Sequence, residues 1–148
     1  MRALLDVNVL VALFDQEHTF NDLAHQWFES NRDQGWATCP LTENGLVRVL
    51  SHPRYSSRIV RSPGWVIESL RAFIRAGQHL FWPDDVSLLD SSQVDCSHIL
   101  SSRQITHVYL LSLAVKHQGR LVTFDEGIRT SSVPGAQPGH LCVLGGGS

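Results

Sequence analysis

Leu4-Leu5-Asp6-Val7-Asn8-Val9-Leu10-Val11-Ala12-Leu13-Phe14 is the stretch on which the fold turns. Ala3-Leu4-Leu5 is a short apolar run that stops at an acid, and Val7 to Phe14 is too long and too uniformly apolar for a surface element. The reading is a buried strand, then a buried helix, with Asp6 at the junction.

Outward from there the same alternation repeats. From His18 to Arg32, apolar residues at Phe20, Leu23, Ala24, Trp27 and Phe28 keep the spacing of an amphipathic helix, which Gly35 ends. Trp36 to Cys39 reads as a second strand closed by Pro40, and Leu41 to Leu50 as a helix with Glu43 in its first turn. Ser51 to Ser62 is a loop by its Pro, Ser and Arg content, and Ser62-Pro63 opens a helix that runs toward Gly77. His79-Leu80-Phe81-Trp82 is a third strand, and the stretch from Asp84 to Ser102 is expected to hold a short helix. Thr106 is the expected N-cap of a helix from His107 to His117, followed by a strand, Arg120 to Phe124, that ends on Asp125. A last strand covers His140 to Leu144, and residues 145–148 read as a flexible tail.

Strands alternating with helices imply an α/β fold in three layers, α/β/α, around a mainly parallel central sheet. Reactive groups in such folds collect outside the carboxyl ends of the strands. Asp6 and Asp125 fall at those ends, and Glu43 just beyond the second.

The chain has 148 residues, and residues 1–144 are expected to form a single domain burying roughly two thirds of the surface exposed when unfolded. At 43% hydrophobic and 18% charged, the composition is that of a globular protein. No apolar run approaches the roughly 18 residues that span a bilayer, and an acid at position 6 is too early for a signal peptide, so a cytoplasmic protein with no membrane partner is expected. Cys39, Cys96 and Cys142 lack the spacing of a disulfide framework or zinc site and read as small buried apolar residues. The net charge of −2 excludes a wholesale basic protein. Six of the eleven arginines nevertheless lie between positions 48 and 75 against the single acid Glu68, which reads as a solvated face or as a phosphate- or acid-contacting surface with Arg48, Arg54 and Arg58 as the candidate contacts.

One acid after a strand is commonly a helix cap. Two, with no Arg or Lys evident between them, repel if their strands are neighbours, and a cation would resolve the repulsion.

At this point the chain resembles the PIN-domain ribonucleases, and within them the VapC-type toxins of bacterial toxin–antitoxin pairs. The resemblance rests on Leu4 to Leu10, on Ala37-Thr38-Cys39-Pro40-Leu41-Thr42-Glu43-Asn44-Gly45-Leu46-Val47-Arg48-Val49-Leu50, on Arg103-Gln104-Ile105-Thr106 and on Thr123-Phe124-Asp125-Glu126-Gly127-Ile128. It implies a PIN-like domain in which acids ring a pocket, carried here by Asp6, Glu43 and Asp125. It implies Mg²⁺ or Mn²⁺ on those carboxylates, which agrees with the preference of hard cations for oxygen. It also implies RNA as substrate, a VapB-type antitoxin as partner and a homodimer. Asn8 and Thr123 would orient Asp6 and Asp125 by hydrogen bonds, although Asn8 is equally suited to cap the first helix.

The departure is His107, where the resemblance calls for a third Asp. An imidazole is a softer ligand than a carboxylate, so three roles are open: ligand to a Mn²⁺-like ion, proton transfer, or loss of one metal and much of the activity. The last leaves an alternative function, a catalytically weakened domain that binds RNA or a partner; the Arg-rich segment and the exposed-looking Trp65, Phe73, Phe81 and Trp82 fit a binder as well as a cutter. Asp85 and Asp90 are the nearest acids that could substitute. A haloacid-dehalogenase-like phosphatase would need an acid at position 8, where Asn8 stands, and a catalytic lysine, whereas Lys116 is the only lysine.

Overall fold

The computed structural model describes residues 1–75 and 77–145, so the expected tail lies outside the described residues except for Gly145. In chain order the elements are β1 (Ala3–Leu5), α1 (Val7–Phe14), α2 (Asn21–Asn31), β2 (Trp36–Thr38), α3 (Pro40–Leu50), α4 (Pro63–Ile74), β3 (His79–Phe81), α5 (Ile105–Lys116), β4 (Arg120–Thr123) and β5 (Leu141–Val143). The five strands form one sheet in the order β3-β2-β1-β4-β5, and every neighbouring pair is parallel.

Parallel neighbours force the chain to return over a face of the sheet between strands, and alternate strand residues then serve the two faces. Ala3, Leu5, Trp36 and Val122 pack with Leu10 of α1, Phe28 of α2, Leu46 of α3 and Val66 of α4. Leu4, Ala37 and Leu121 pack on the other face with Val108, Leu111 and Ala114 of α5. This is the expected three-layer α/β/α architecture, with the PIN-like order of elements. Burying one such Leu or Val side chain contributes about 1.5–3 kcal/mol, which is why these short strands need both layers.

The chain starts in the middle of the sheet, builds outward through β2 and β3, then crosses to the opposite side for β4 and β5. The direction of progress therefore reverses at β1. Its carboxyl end opens into a crevice between oppositely directed connections, the place where ligands bind in open parallel sheets.

α1 and α3 approach closely at Gly45, where an added Cβ would stand 2.5 Å from Val7 Cγ2. Gly35, at φ +81°, turns the chain from α2 into β2 in a conformation that favours glycine.

Several element ends differ from the sequence reading. α2 begins at Asn21 rather than His18, because the His18 ring accepts the Phe20 N–H at 3.0 Å and makes a turn there instead. α5 begins at Ile105, not His107, and Thr106 is no cap: a 3₁₀ turn at Ser102–Gln104, capped by Ser101 and reciprocally by Gln104, leads straight into the helix. The expected short helix after Asp84 is a single 3₁₀ turn, Cys96–His98, capped by Asp95. Trp65 and Phe81 are exposed, as expected, but Trp82 is buried and stacked on His117, while Phe73 packs against Phe14, Phe28 and Trp36. Of the cysteines only Cys39 is buried; Cys96 is exposed and Cys142 partly so. No helix among the described residues is long and apolar enough to cross a membrane.

Candidate active site

Asp6 leaves β1 at the crevice and caps α1, its Oδ1 accepting the Val7 N–H at 2.7 Å. Its other oxygen, Oδ2, accepts the Thr123 hydroxyl at 2.7 Å from the end of β4. Strand pairing brings the two together, since β4 is the direct neighbour of β1, with Leu5 opposite Val122. Thr123 Oγ1 also accepts from Asn8 Nδ2 at 3.3 Å and from the Asp125 N–H at 3.0 Å, so this fully buried hydroxyl uses its donor and both lone pairs. Asn8 spends its amide oxygen on the Phe124 N–H at 3.2 Å. It ties α1 to β4 rather than capping the helix, a role that Asp6 fills.

His107 projects from the first turn of α5 into this cluster. Its Nε2 lies 3.1 Å from Asp6 Oδ2 and its Nδ1 3.1 Å from Asp125 Oδ2. Carboxylates only accept, so these two contacts favour the form of the ring that carries a proton on each nitrogen. The hydrogen bond to Asp6 raises the imidazole pKa above its ordinary value; burial works against this, and the charges of Asp6 and Asp125 add to it. A cationic side chain at a helix N-terminus is unfavourable by the helix dipole, and the two carboxylates offset that. A protonated His107 would supply, from within the chain itself, the positive charge demanded between the two acids.

His107 also partitions the crevice. On one side is a cavity of about 570 Å³ bordered by Asp6, Asn8, Phe20, Arg48, Thr106 and Phe124; on the other, one of about 200 Å³ bordered by Arg103, Asp125 and Arg129. Sequence reading missed the two arginines of the smaller cavity. Their signal was proximity in sequence to His107 and Asp125.

Glu43 borders neither cavity. Its Oε2 accepts the Thr38 hydroxyl at 2.7 Å, and Thr38 Oγ1 lies 2.8 Å from His79 Nε2, so His79 is the donor in that contact. Burial, and then the charge of Arg2, lower the His79 pKa. Glu43 shares its surroundings with Val47, Ser51 and Ile67, in a groove between α3 and α4. Asp85 is bound to Lys116 and His117 and Asp90 to Ser92, so neither replaces the missing third acid.

The arginine segment divides. Arg48 faces the large cavity, Arg54 is exposed, and Arg58 pairs on the surface with Glu17 at 3.0 Å. Arg71 pairs with Glu68. Arg61 is buried, its Nη2 3.4 Å from Asp15 Oδ1 and its guanidinium 5.8 Å from the centre of the Tyr55 ring.

For a divalent cation the donor chemistry fits in kind: Asp6 and Asp125 carry hard carboxylate oxygens on either side of the point where His107 stands. In this arrangement the point is held by the imidazole, and no three His, Cys, Asp or Glu side chains among the described residues are grouped as a metal requires.

No family model matches the chain. Known proteins similar to it do exist. Ribonuclease VapC44 of Mycobacterium tuberculosis is 48% identical over 144 residues, 97% of this chain and 100% of that protein. Ribonuclease VapC39 of the same organism is 41% identical over 91% of this chain and 96% of its own length, and ribonuclease VapC38 45% identical over 86% and 88%. Relatedness at that level along nearly the whole chain, on this fold and with this cluster at the switch point, places the chain in the VapC family of PIN-domain ribonucleases.

Proposed function

We propose that this chain is an endoribonuclease that hydrolyses RNA phosphodiesters and acts as the toxin of a type II toxin–antitoxin pair. The observation that carries the reading is one imidazole bridging two carboxylates at the strand ends, beside a cavity bearing Arg48. The relatives, each named a ribonuclease, support the reaction class.

In this reading Thr123 and the Val7 N–H hold Asp6 in one orientation. A water attacking the phosphorus would pass its proton to one of the carboxylates, and His107, freed from that carboxylate, would give a proton to the leaving oxygen, while Arg48, Arg103 and Arg129 would neutralise phosphates on either side. Mg²⁺ or Mn²⁺ is the proposed cofactor, which Asp6 and Asp125 would hold; such an ion would supply Lewis-acid stabilisation of the phosphoryl oxygens. His107 competes with it for both carboxylates. Glu43 enters as a third acid through the resemblance alone, since its carboxylate is engaged by Thr38. Arg54 and Arg58 are proposed RNA contacts at the rim. A VapB-type antitoxin and a second copy of the chain are the proposed partners, and the cytoplasm the proposed location.

The same bridge supports a second reading, in which His107 keeps the acids occupied and the domain binds RNA or a partner without cutting. Incubating purified protein with structured RNA in Mg²⁺ and in Mn²⁺ decides between them. Cleavage that is lost in Asp6→Asn is the result expected. Silence of the wild type in both ions, with cleavage by His107→Asp, assigns the second reading.

A further inference from the structure

Phe20 is 42% exposed at the mouth of the larger cavity. One face of its ring lies against Phe124, with centroids 5.0 Å apart and planes inclined by 21°, and the His18 ring flanks it at 6.0 Å. We propose that this cavity is a nucleobase subsite, in which one base of single-stranded RNA stacks on Phe20. The proposal rests on the ribonuclease reading and adds what the site grips.

Four observations converge on it. First, the backbone that carries the ring is held by the fold, and the ring itself rests on Phe124: the Phe20 N–H is bonded to His18 Nδ1, its carbonyl accepts the Ala24 N–H at 2.9 Å, and the adjacent Asn21 side chain donates to Ala12 O at 2.7 Å, tying the start of α2 to α1. A preorganised aromatic face gives stacking energy without an ordering cost. Second, the ring beneath it, Phe124, lies between Thr123 and Asp125, and its N–H is bonded to Asn8. A base stacked on Phe20 is therefore in fixed register with Asp6, His107 and Asp125. Third, the cavity of about 570 Å³ falls within the roughly 300–1,000 Å³ range of small-ligand sites and has room for a nucleotide. Fourth, its wall carries Arg48, exposed and suited to the phosphate of that same nucleotide.

An aromatic face accepts any base, so affinity comes without strong base identity, and a base must be unpaired to reach it. The chemistry that fits is a single strand or a loop, with the reacting phosphodiester passing His107 toward Arg103 and Arg129.

The test uses the whole chain and single-stranded RNA oligonucleotides carrying 2-aminopurine at successive positions, with binding read in a chelator by fluorescence quenching. Wild type is expected to quench at one or more positions. Phe20→Ala should weaken binding about tenfold, within the range for losing one stacked base, and remove the positional quenching, while Phe20→Trp restores both. Phe20 is exposed, so circular dichroism of both variants should match wild type. Quenching and affinity unchanged in Phe20→Ala overturn the subsite, as does a wild type that quenches at no position. A variant that binds RNA normally but changes its sedimentation overturns it too, and identifies Phe20 as a protein contact. Hydrolysis of the same oligonucleotides in Mg²⁺ and Mn²⁺ is scored separately: quenching without cleavage leaves the subsite standing and defeats the catalytic reading, and cleavage with a KM indifferent to Phe20→Ala does the reverse.

Discussion

His107 Nε2 stands 3.1 Å from Asp6 Oδ2, an oxygen that already accepts the Thr123 hydroxyl at 2.7 Å. The most buried acid of the crevice is thus satisfied from inside the chain, by the Thr123 hydroxyl from β4 and the His107 ring from α5. The repulsion between Asp6 and Asp125 and the positive end of α5 are balanced in the same few ångströms, with Asp125 Oδ2 at 3.1 Å from the other ring nitrogen.

This arrangement makes His107 a competitor of any divalent ion for Asp6 and Asp125. His107→Ala removes the competitor, and His107→Asp removes it and adds a hard ligand. Titration calorimetry with Mg²⁺ should show tighter binding than wild type in both, by about tenfold or 1.4 kcal/mol for the Ala variant and by more for Asp. Equal affinity in all three proteins would place His107 outside the ion's reach.

Thr123→Val keeps the shape of the side chain and removes its hydroxyl. Asp6 then loses one of its donors, and Asn8 Nδ2 and the Asp125 N–H lose an acceptor in a fully buried position. The expected cost is about 1–3 kcal/mol of stability, read by urea unfolding. RNA cleavage should fall by about 10–100-fold, as when residues that orient a ligating carboxylate are removed, with KM little changed. A loss confined to KM would show that Thr123 serves substrate binding instead.

The layers, the parallel sheet and the strand-end positions of Asp6 and Asp125 were legible in the sequence because each rests on a local pattern: an apolar run, its length and the residue where it stops. Partner choice was not. Nothing in the spacing of Thr38, Glu43 and His79 says that the β2–β3 pairing will offer Glu43 a hydroxyl backed by an imidazole. The arginines between 48 and 75 read as one basic surface, yet Arg61 belongs to the interior and Arg58 to a surface ion pair with Glu17, because their acids lie more than forty positions earlier in the chain. His107 was visible as a departure from the resembled pattern. That its two nitrogens would span two carboxylates required the register of α5 on the sheet.

The buried pair at the end of α1 predicts an acid-sensitive component of stability. Burial pushes the Asp15 carboxyl up, but the Tyr55 hydroxyl at 2.5 Å, the Glu17 N–H and the charges of Arg61 and His18 outweigh it and hold it below the ordinary value. A carboxylate depressed in the folded state stabilises above its unfolded pKa of about 3.9, and that contribution disappears as pH falls through the folded value. Asp15→Asn should therefore cost about 3 kcal/mol at neutral pH, where it leaves Arg61 buried without its counter-charge. In guanidinium unfolding at a series of pH values, the gap between variant and wild type should narrow below about pH 4. A gap that stays constant down to pH 3 would show that Asp15 acts through packing.

The three thiols should separate by reactivity. Burial, opposed by hydrogen bonding to Thr42, raises the Cys39 pKa to about 11, with the nearby Asp84 charge adding to it, so the nucleophilic thiolate is scarce at neutral pH as well as inaccessible. Cys96 sits exposed in the 3₁₀ turn after Asp95, and Cys142 is partly covered within β5. With a chromogenic disulfide reagent at pH 7.5, Cys96 should react at once and Cys142 slowly, with Cys39 silent until denaturant is added. Cys96→Ser should then abolish the fast phase and leave the denaturant-dependent one. Rapid labelling of Cys39 in the native protein would mean that the β2–α3 junction, and with it the platform carrying Thr38 and Glu43, opens far more readily than its complete burial implies.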